Sequence, residues 1–293
     1  MTRPVVASQD TSAPTEYQVA VRACGRTEVG PTRPQNQDAI VLAGAVGLAT
    51  GTRLSWEGPV PESGFAAAVV DGMGGYAGGA EAAALVAGTL ARANLGAIEG
   101  GWDGWFEHIS AQVTQAGKAW HTPEMGATAA LLAITPGGMI MTNVGDCRIY
   151  RVVGPHLGQI SVDDRTDMPD SSAITQALGG SIRIDSHCWQ QDFTVGVERY
   201  VLCSDGVWGT LETPALREMC TANQPPGELV DAVAAAIYDL NSTDNGSILV
   251  VDVYATPVEP SAPAPPPAQP VRQSVWPIAV QSHTADTQGK APQ

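Results

Sequence analysis

Residues 65–81, FAAAVVDGMGGYAGGAE, set an uncharged apolar run against an acid and then against small residues. Phe65 to Val70 reads as a buried strand, which delivers the Asp71 carboxylate at the strand's end, where solvent or a ligand reaches it. Gly72, Gly74, Gly75, Gly78 and Gly79 then let the backbone turn tightly beside that acid. From Ala80 to Asn94 the alanine- and leucine-rich chain predicts a helix. Taken alone, the stretch fits a glycine-softened turn with a solvated aspartate as well as it fits a site.

Upstream, Tyr17 to Cys24 alternates apolar and polar side chains like a half-buried strand, and Ala39 to Leu42 predicts a second. The connection between them carries Arg33, Asn36, Gln37 and Asp38, a polar density typical of a site-bearing loop. Residues 44–64 read as strand, loop and strand. Downstream, a helix is predicted from Trp102 to Trp120, with Trp102, Trp105, Phe106, Ile109, Val113 and Trp120 on one core-facing stripe. Short strands follow at Thr128–Thr135, Met139–Val144 and Arg148–Val153, read as a meander whose second turn holds Asp146. Ser161 to Ser172 is rich in aspartate with little to pack and reads as a surface excursion. Ile182–Asp185 and Phe193–Val197 are expected to add edge strands.

The strand Tyr200–Cys203 runs into Ser204-Asp205-Gly206 and repeats the arrangement at Asp71. Thr213 is expected to cap a helix with Pro214 in its first turn, and Glu228–Leu240 predicts another helix. Asp244 then stands just before a last strand, Ser247–Tyr254. The expected organisation is a flexible N-terminal extension over residues 1–15, one domain over 16–255, and a Pro/Ala-rich disordered tail over 256–293. The tail reads as a linker remainder or a partner-binding segment.

Acids outnumber bases by 30 to 15, for a formal charge of −15, which speaks against nucleic acid or an anionic membrane surface as a partner. Five scattered cysteines form no CxxC pair, so neither a disulfide framework nor a thiolate zinc site is expected, and a reducing cytoplasm fits. No uninterrupted apolar run is long enough to span a bilayer. Asp38, Asp71, Asp146, Asp205 and Asp244 share a context, each beside a strand end in a Gly- or Asn-rich turn. Five carboxylates brought together repel one another, and an oxygen donor set without His or Cys favours magnesium or manganese as the neutralising ion.

In chain order, Arg33, Asn36, Gln37 and Asp38, then VDGMGG at 70–75, GAT at 126–128, GDCR at 145–148, CSDG at 203–206 and DN at 244–245 resemble the motifs of the metal-dependent serine/threonine protein phosphatases, the PPM or protein phosphatase 2C family. The resemblance spans about Tyr17 to Tyr254. It implies an α+β fold, a four-layer α-β-β-α sandwich with two central antiparallel sheets flanked by helices. It also implies hydrolysis of phosphoserine or phosphothreonine in proteins by metal-activated water, without a phosphoenzyme, and a phosphoprotein substrate with a cognate Ser/Thr kinase as partners of a monomer. Asp71 would bridge two manganese or magnesium ions, with Asp205 and Asp244 on one and the Gly72 carbonyl on the other. Asp38 would hold metal-bound waters, Arg33 the substrate phosphate, and Asp146 a third ion.

The chain departs from the family pattern at several points. Gln37 stands for a glutamate, Met73 for a histidine proposed as leaving-group acid, Gly209 for an acid near the third ion, and Arg165 for a histidine in a shortened flap over about 161–180. Two other readings compete. A non-catalytic phosphopeptide-binding or regulatory module would keep the sandwich without the chemistry. A dinucleotide-binding oxidoreductase would use GMGGYA at 72–77 as GxGxxA, but lacks the acid-ended second strand about 20 residues on.

Overall fold

The computed structural model describes residues 16–73, 78–98, 101–166, 173–180 and 183–258. The expected N-terminal extension, residues 167–172 of the flap and the tail beyond 258 lie outside the described residues, as do residues 74–77 of the glycine loop.

The chain forms β1 (Tyr17–Glu28), β2 (Asp38–Leu42), β3 (Ala45–Gly47), β4 (Thr52–Pro59), β5 (Phe65–Met73), α1 (Gly79–Ala91) and α2 (Gly101–Ala119). It continues with β6 (Gly126–Thr135), β7 (Gly138–Val144), β8 (Arg148–Val153), β9 (His156–Gln159), β10 (His187–Gln191) and β11 (Gly196–Cys203), then α3 (Asp205–Trp208), α4 (Thr213–Thr221), α5 (Pro226–Asp239) and β12 (Gly246–Pro257). Two six-stranded sheets result, in the orders β4-β1-β12-β11-β8-β9 and β10-β7-β6-β5-β2-β3. Their pairings are antiparallel, which rules out the parallel sheet a dinucleotide-binding fold requires.

Period-two alternation explains the layers. In β5, Phe65, Ala67 and Val69 point between the sheets with Ile40 and Leu42 of β2 and Tyr200, Leu202, Leu249 and Val251 of the other sheet. The alternate residues, Ala66, Ala68 and Val70, face outward beneath Ala83, Val86 and Leu90 of α1 and Phe106, Ile109 and Val113 of α2. On the far side, Val201, Cys203, Ile248 and Val250 lie beneath Leu216 of α4 and Leu229, Val233 and Ile237 of α5. Strands buried on both faces read as continuous apolar runs, which is why FAAAVV carries no alternation. Each fully buried Val, Leu or Ile contributes about 1.5–3 kcal/mol of transfer free energy. The four-layer α-β-β-α sandwich is thus the observed architecture.

Several local expectations are corrected. β7 and β8 do not form a meander: β7 pairs with β6, while β8 pairs with β11 in the other sheet, so the Gly145-Asp146-Cys147 connection crosses between sheets. Hydrophobic alternation reveals a strand but not its partner. Residues 183–185 are not a strand, and β11 starts only at Gly196, because the chain after β10 is again crossing between sheets. Phe193 on that crossing is nevertheless buried in the intersheet core. Trp120, one heptad beyond Val113, falls past the end of α2 and is exposed, since the chain turns away at His121 with a φ of 60°. Glu212, not Thr213, occupies the cap position of α4, where no side chain makes a capping hydrogen bond. β12 continues through Thr256 and Pro257, because β1 extends far enough to pair with both.

Candidate metal centre

Along one end of the sandwich the intersheet rows change from apolar to polar. In β5 the row Phe65, Ala67, Val69 ends in Asp71, and in β2 the row Leu42, Ile40 ends in Asp38 directly opposite it. Opposed residues on one face of a sheet place their Cβ atoms about 5 Å apart. From β11 the row Tyr200, Leu202 leads to Ser204, and from β12 the row Val251, Leu249 leads to Ser247. The Ser204 hydroxyl donates to Asp38 Oδ2 at 2.7 Å and accepts from the Ser247 amide at 3.0 Å. Asp38 is thereby fixed while buried.

Three further acids reach the same end from connections rather than strands. Asp205 opens α3 straight after β11, Asp244 stands two residues before β12, and Asp146 lies on the crossing between the sheets. Their mutual influence shows in their protonation. Burial and the charges of Asp205 and Asp244 push Asp38 up to about 7, against the hydrogen bonds from the serines. Burial raises Asp71 well above the usual carboxylate range, with Asp38, Asp205, Asp146 and Asp244 adding to it. Asp146 rises to about 6 through burial and Asp205, opposed by Arg165. Asp205 is raised by burial and Asp244, and held down by Arg165 and Arg33. All five acids therefore belong to one electrostatic cluster.

Close backbone packing holds these loops. A Cβ on Gly72 would stand 2.0 Å from the Gly79 carbonyl oxygen and 2.7 Å from that of Gln37, so β5 leaves the sheet with its backbone pressed against two others. A Cβ on Gly206 would meet the Asn245 carbonyl oxygen at 1.8 Å. Asn245 clamps the β1–β2 connection, accepting from the Gln37 amide at 2.9 Å and donating to the carbonyls of Val29 and Gln35 at 2.6 and 3.0 Å. Arg33 extends from that connection to Asp244 Oδ2 at 2.6 Å and the Thr243 carbonyl at 3.0 Å. Beside Arg33 opens a cleft of about 690 Å³, lined also by Gly30, Asp231, Tyr238 and Ser242; it flanks the carboxylates rather than covering them.

As they stand, no group of three His, Cys, Asp or Glu among the described residues closes on a single ion. The donor set nonetheless fits hard cations: it offers carboxylates and a strand-end carbonyl, and Asp146 Oδ1 and Asp205 Oδ1 are buried without a hydrogen-bond partner among the described residues. Two of the acids are engaged by arginines instead, Asp244 by Arg33 and Asp146 by Arg165, the latter at 3.4 Å. The aspartate-rich excursion is also used inward. Asp163 takes three hydrogen bonds from Arg148, and Asp164 accepts from the Gly145 amide at 2.7 Å and pairs with His187 at 2.8 Å.

The chain as a whole is similar to solved bacterial structures. It superposes on PppA, a key regulatory component of T6SS in Pseudomonas aeruginosa, with a TM-score of 0.67 and 26% identity, over 82% of this chain and 100% of that one. The Mycobacterium tuberculosis serine/threonine phosphatase PstP/Ppp gives a TM-score of 0.61 at 23% identity, over 80% and 98%. The catalytic domain of PstP in complex with 2 manganese ions gives 0.60 at 22%, over 80% and 99%. The chain has the fold of the PPM, or protein phosphatase 2C-like, phosphatases. No family model matches the chain, and no curated protein matches it. The likeness to PPM phosphatases therefore rests on the fold together with the ordered motifs.

Sequence reasoning placed all five acids at strand ends but gave no role to Ser204, Ser247 or Asn245. The two serines were findable, since each continues an inward-facing alternating row at the point where it turns polar. Asn245 stood in the DN motif, but its role was not legible there, because its partners lie about 210 residues away.

Proposed function

We propose that this protein is a PPM-type metal-dependent phosphatase acting on phosphoserine or phosphothreonine in proteins. The observation that carries the reading is the convergence of five aspartates, two at strand ends and three on connections, on one end of the sandwich. Asp71, Asp205, Asp244 and the Gly72 carbonyl would hold two manganese or magnesium ions, and Asp38 would anchor their water. Bound there, such ions supply the positive charge that activates water and neutralises phosphate oxygens. Ser204 keeps Asp38 oriented through the bond at 2.7 Å. Arg33 is 43% exposed at the mouth of the cleft, and its forked guanidinium suits two phosphate oxygens once Asp244 is taken up elsewhere. Met73 supplies no proton, so the leaving group takes its proton from water or from a group outside this set. A cognate Ser/Thr kinase and a cytoplasmic setting complete the reading.

The solved neighbour holding two manganese ions supports metal dependence. A second reading, a regulatory module that binds phosphopeptide without cleaving it, draws on the description of PppA as a regulatory component and on the arginine-engaged acids. One assay separates them. Purified protein should release phosphate from a phosphothreonine peptide with manganese and stop in EDTA, and Asp205→Asn should reduce the rate by about 100-fold or more. Peptide binding without phosphate release would select the regulatory reading; release that persists in EDTA would remove the metal from the proposal.

A further inference from the structure

Asp146 is where the family resemblance places a third ion, and the structure brings a side chain of the protein to it instead. Arg165 Nη1 stands 3.4 Å from Asp146 Oδ2, with the carboxylate side chain only 1% exposed and the guanidinium 24%. The strand-like pairing of Arg165 with Ile174 holds the arginine in place, and the amides of Thr166 and Thr175 donate to the carbonyls of Ala173 and Asp164 on either side of it. Trp208 supplies the floor: its indole nitrogen donates to the Asp146 carbonyl at 3.1 Å, and the Arg165 guanidinium lies 5.1 Å from its ring centre. Arg148 packs on the same ring at 3.6 Å but is committed to Asp163.

Gly209 weakens the alternative. It presents no carboxylate, and a Cβ there would stand 2.7 Å from the Asp205 carbonyl oxygen, so an acid could not be seated without moving the backbone. Charge gives the same answer. Two divalent ions cancel four of the five carboxylates, and Arg165 cancels the fifth, which leaves Arg33 for phosphate.

We propose that Arg165 is the resident cation of Asp146, replacing a third metal ion with a guanidinium, so that this chain holds two divalent ions and no more. The ion count rests on the phosphatase reading; the Arg165–Asp146 pairing does not. Two measurements on the full chain therefore test it: manganese stoichiometry by calorimetric titration, and thermal unfolding in EDTA.

Wild type should bind two manganese ions, and Asp146→Asn should leave that number unchanged. Arg165→Ala should unfold at least about 4 °C lower in EDTA, because it strands a buried carboxylate. It should also gain a weak third manganese ion. Adding Asp146→Asn to that variant should erase both effects, while Arg165→Lys should keep two ions. A third ion in wild type that disappears in Asp146→Asn would overturn the proposal, as would additive unfolding shifts of the two single substitutions. Should wild type bind no manganese, the phosphatase reading and the two-ion count fall together, and non-additivity in EDTA still decides the pair.

Discussion

Arg33 and Asp244 hold each other at 2.6 Å, yet the proposed chemistry needs the first on phosphate and the second on a metal ion. Both are partly exposed, so their pairing is worth no more than about 1 kcal/mol and opens readily. Arg33→Ala should consequently move two quantities in opposite directions. The KM for a phosphothreonine peptide should rise about tenfold or more, the loss of a charge-assisted bidentate contact. Manganese should bind severalfold tighter, because Asp244 is freed. Steady-state kinetics and a manganese titration of the same variant check both, and an unchanged KM would remove Arg33 from the phosphate. At this scale the acids were legible because each ends or precedes an apolar run, a purely local signal. The engagement of Asp244 by Arg33 was not, because the two residues are 211 positions apart.

Among the elements, the connection between β1 and β2 matters most, since it carries Arg33 and leads into Asp38. Its shape is set by Asn245, just before β12, whose side chain makes three hydrogen bonds to it. Asn245→Ala should destabilise the protein by about 2–4 kcal/mol, about 1 kcal/mol per bond with part-buried carbonyls left unpartnered. Urea unfolding measures this, and residual activity should fall further than stability accounts for, as Arg33 and Asp38 lose their register. Gly72→Ala should cost about 3 kcal/mol in the same assay, because its Cβ would collide with the carbonyls of Gly79 and Gln37; a neutral effect would mean that β5 exits the sheet differently. Most strands and helices were readable from periodicity, for the alternation in β1 and the stripe Phe106, Ile109, Val113 in α2 reflect which faces are buried. What periodicity could not convey was partnership. Arg148–Val153 reads as a strand in either sheet, and only the crossing at Gly145, where φ is 92°, assigns it to the sheet of β11.

Over the whole molecule, the acid cluster sets how stability responds to pH and to metal. Unfolded carboxylates ionise near pH 4, whereas Asp38 in the fold holds its proton to about 7 and Asp146 to about 6, with Asp71 and Asp205 also raised. Between those limits the native chain binds more protons than the unfolded one, so the stability of metal-free protein falls as pH rises from about 4 to about 7. Above that range Asp38 and Asp146 are ionised in both states, and their share of the fall ends. Ions that occupy the cluster replace the protons and bind best where the acids are ionised. Manganese at 100 times its dissociation constant should add about 2.7 kcal/mol per occupied site, and the gain should shrink as the pH drops toward 5 and protons compete. Thermal unfolding at pH 5 and pH 7.5, with and without EDTA, measures all four corners. Metal-free protein should melt lower at pH 7.5 than at pH 5, and manganese should close most of that gap. Equal melting temperatures in EDTA would mean that the carboxylates do not share one buried field, and the two-ion site would lose its electrostatic basis.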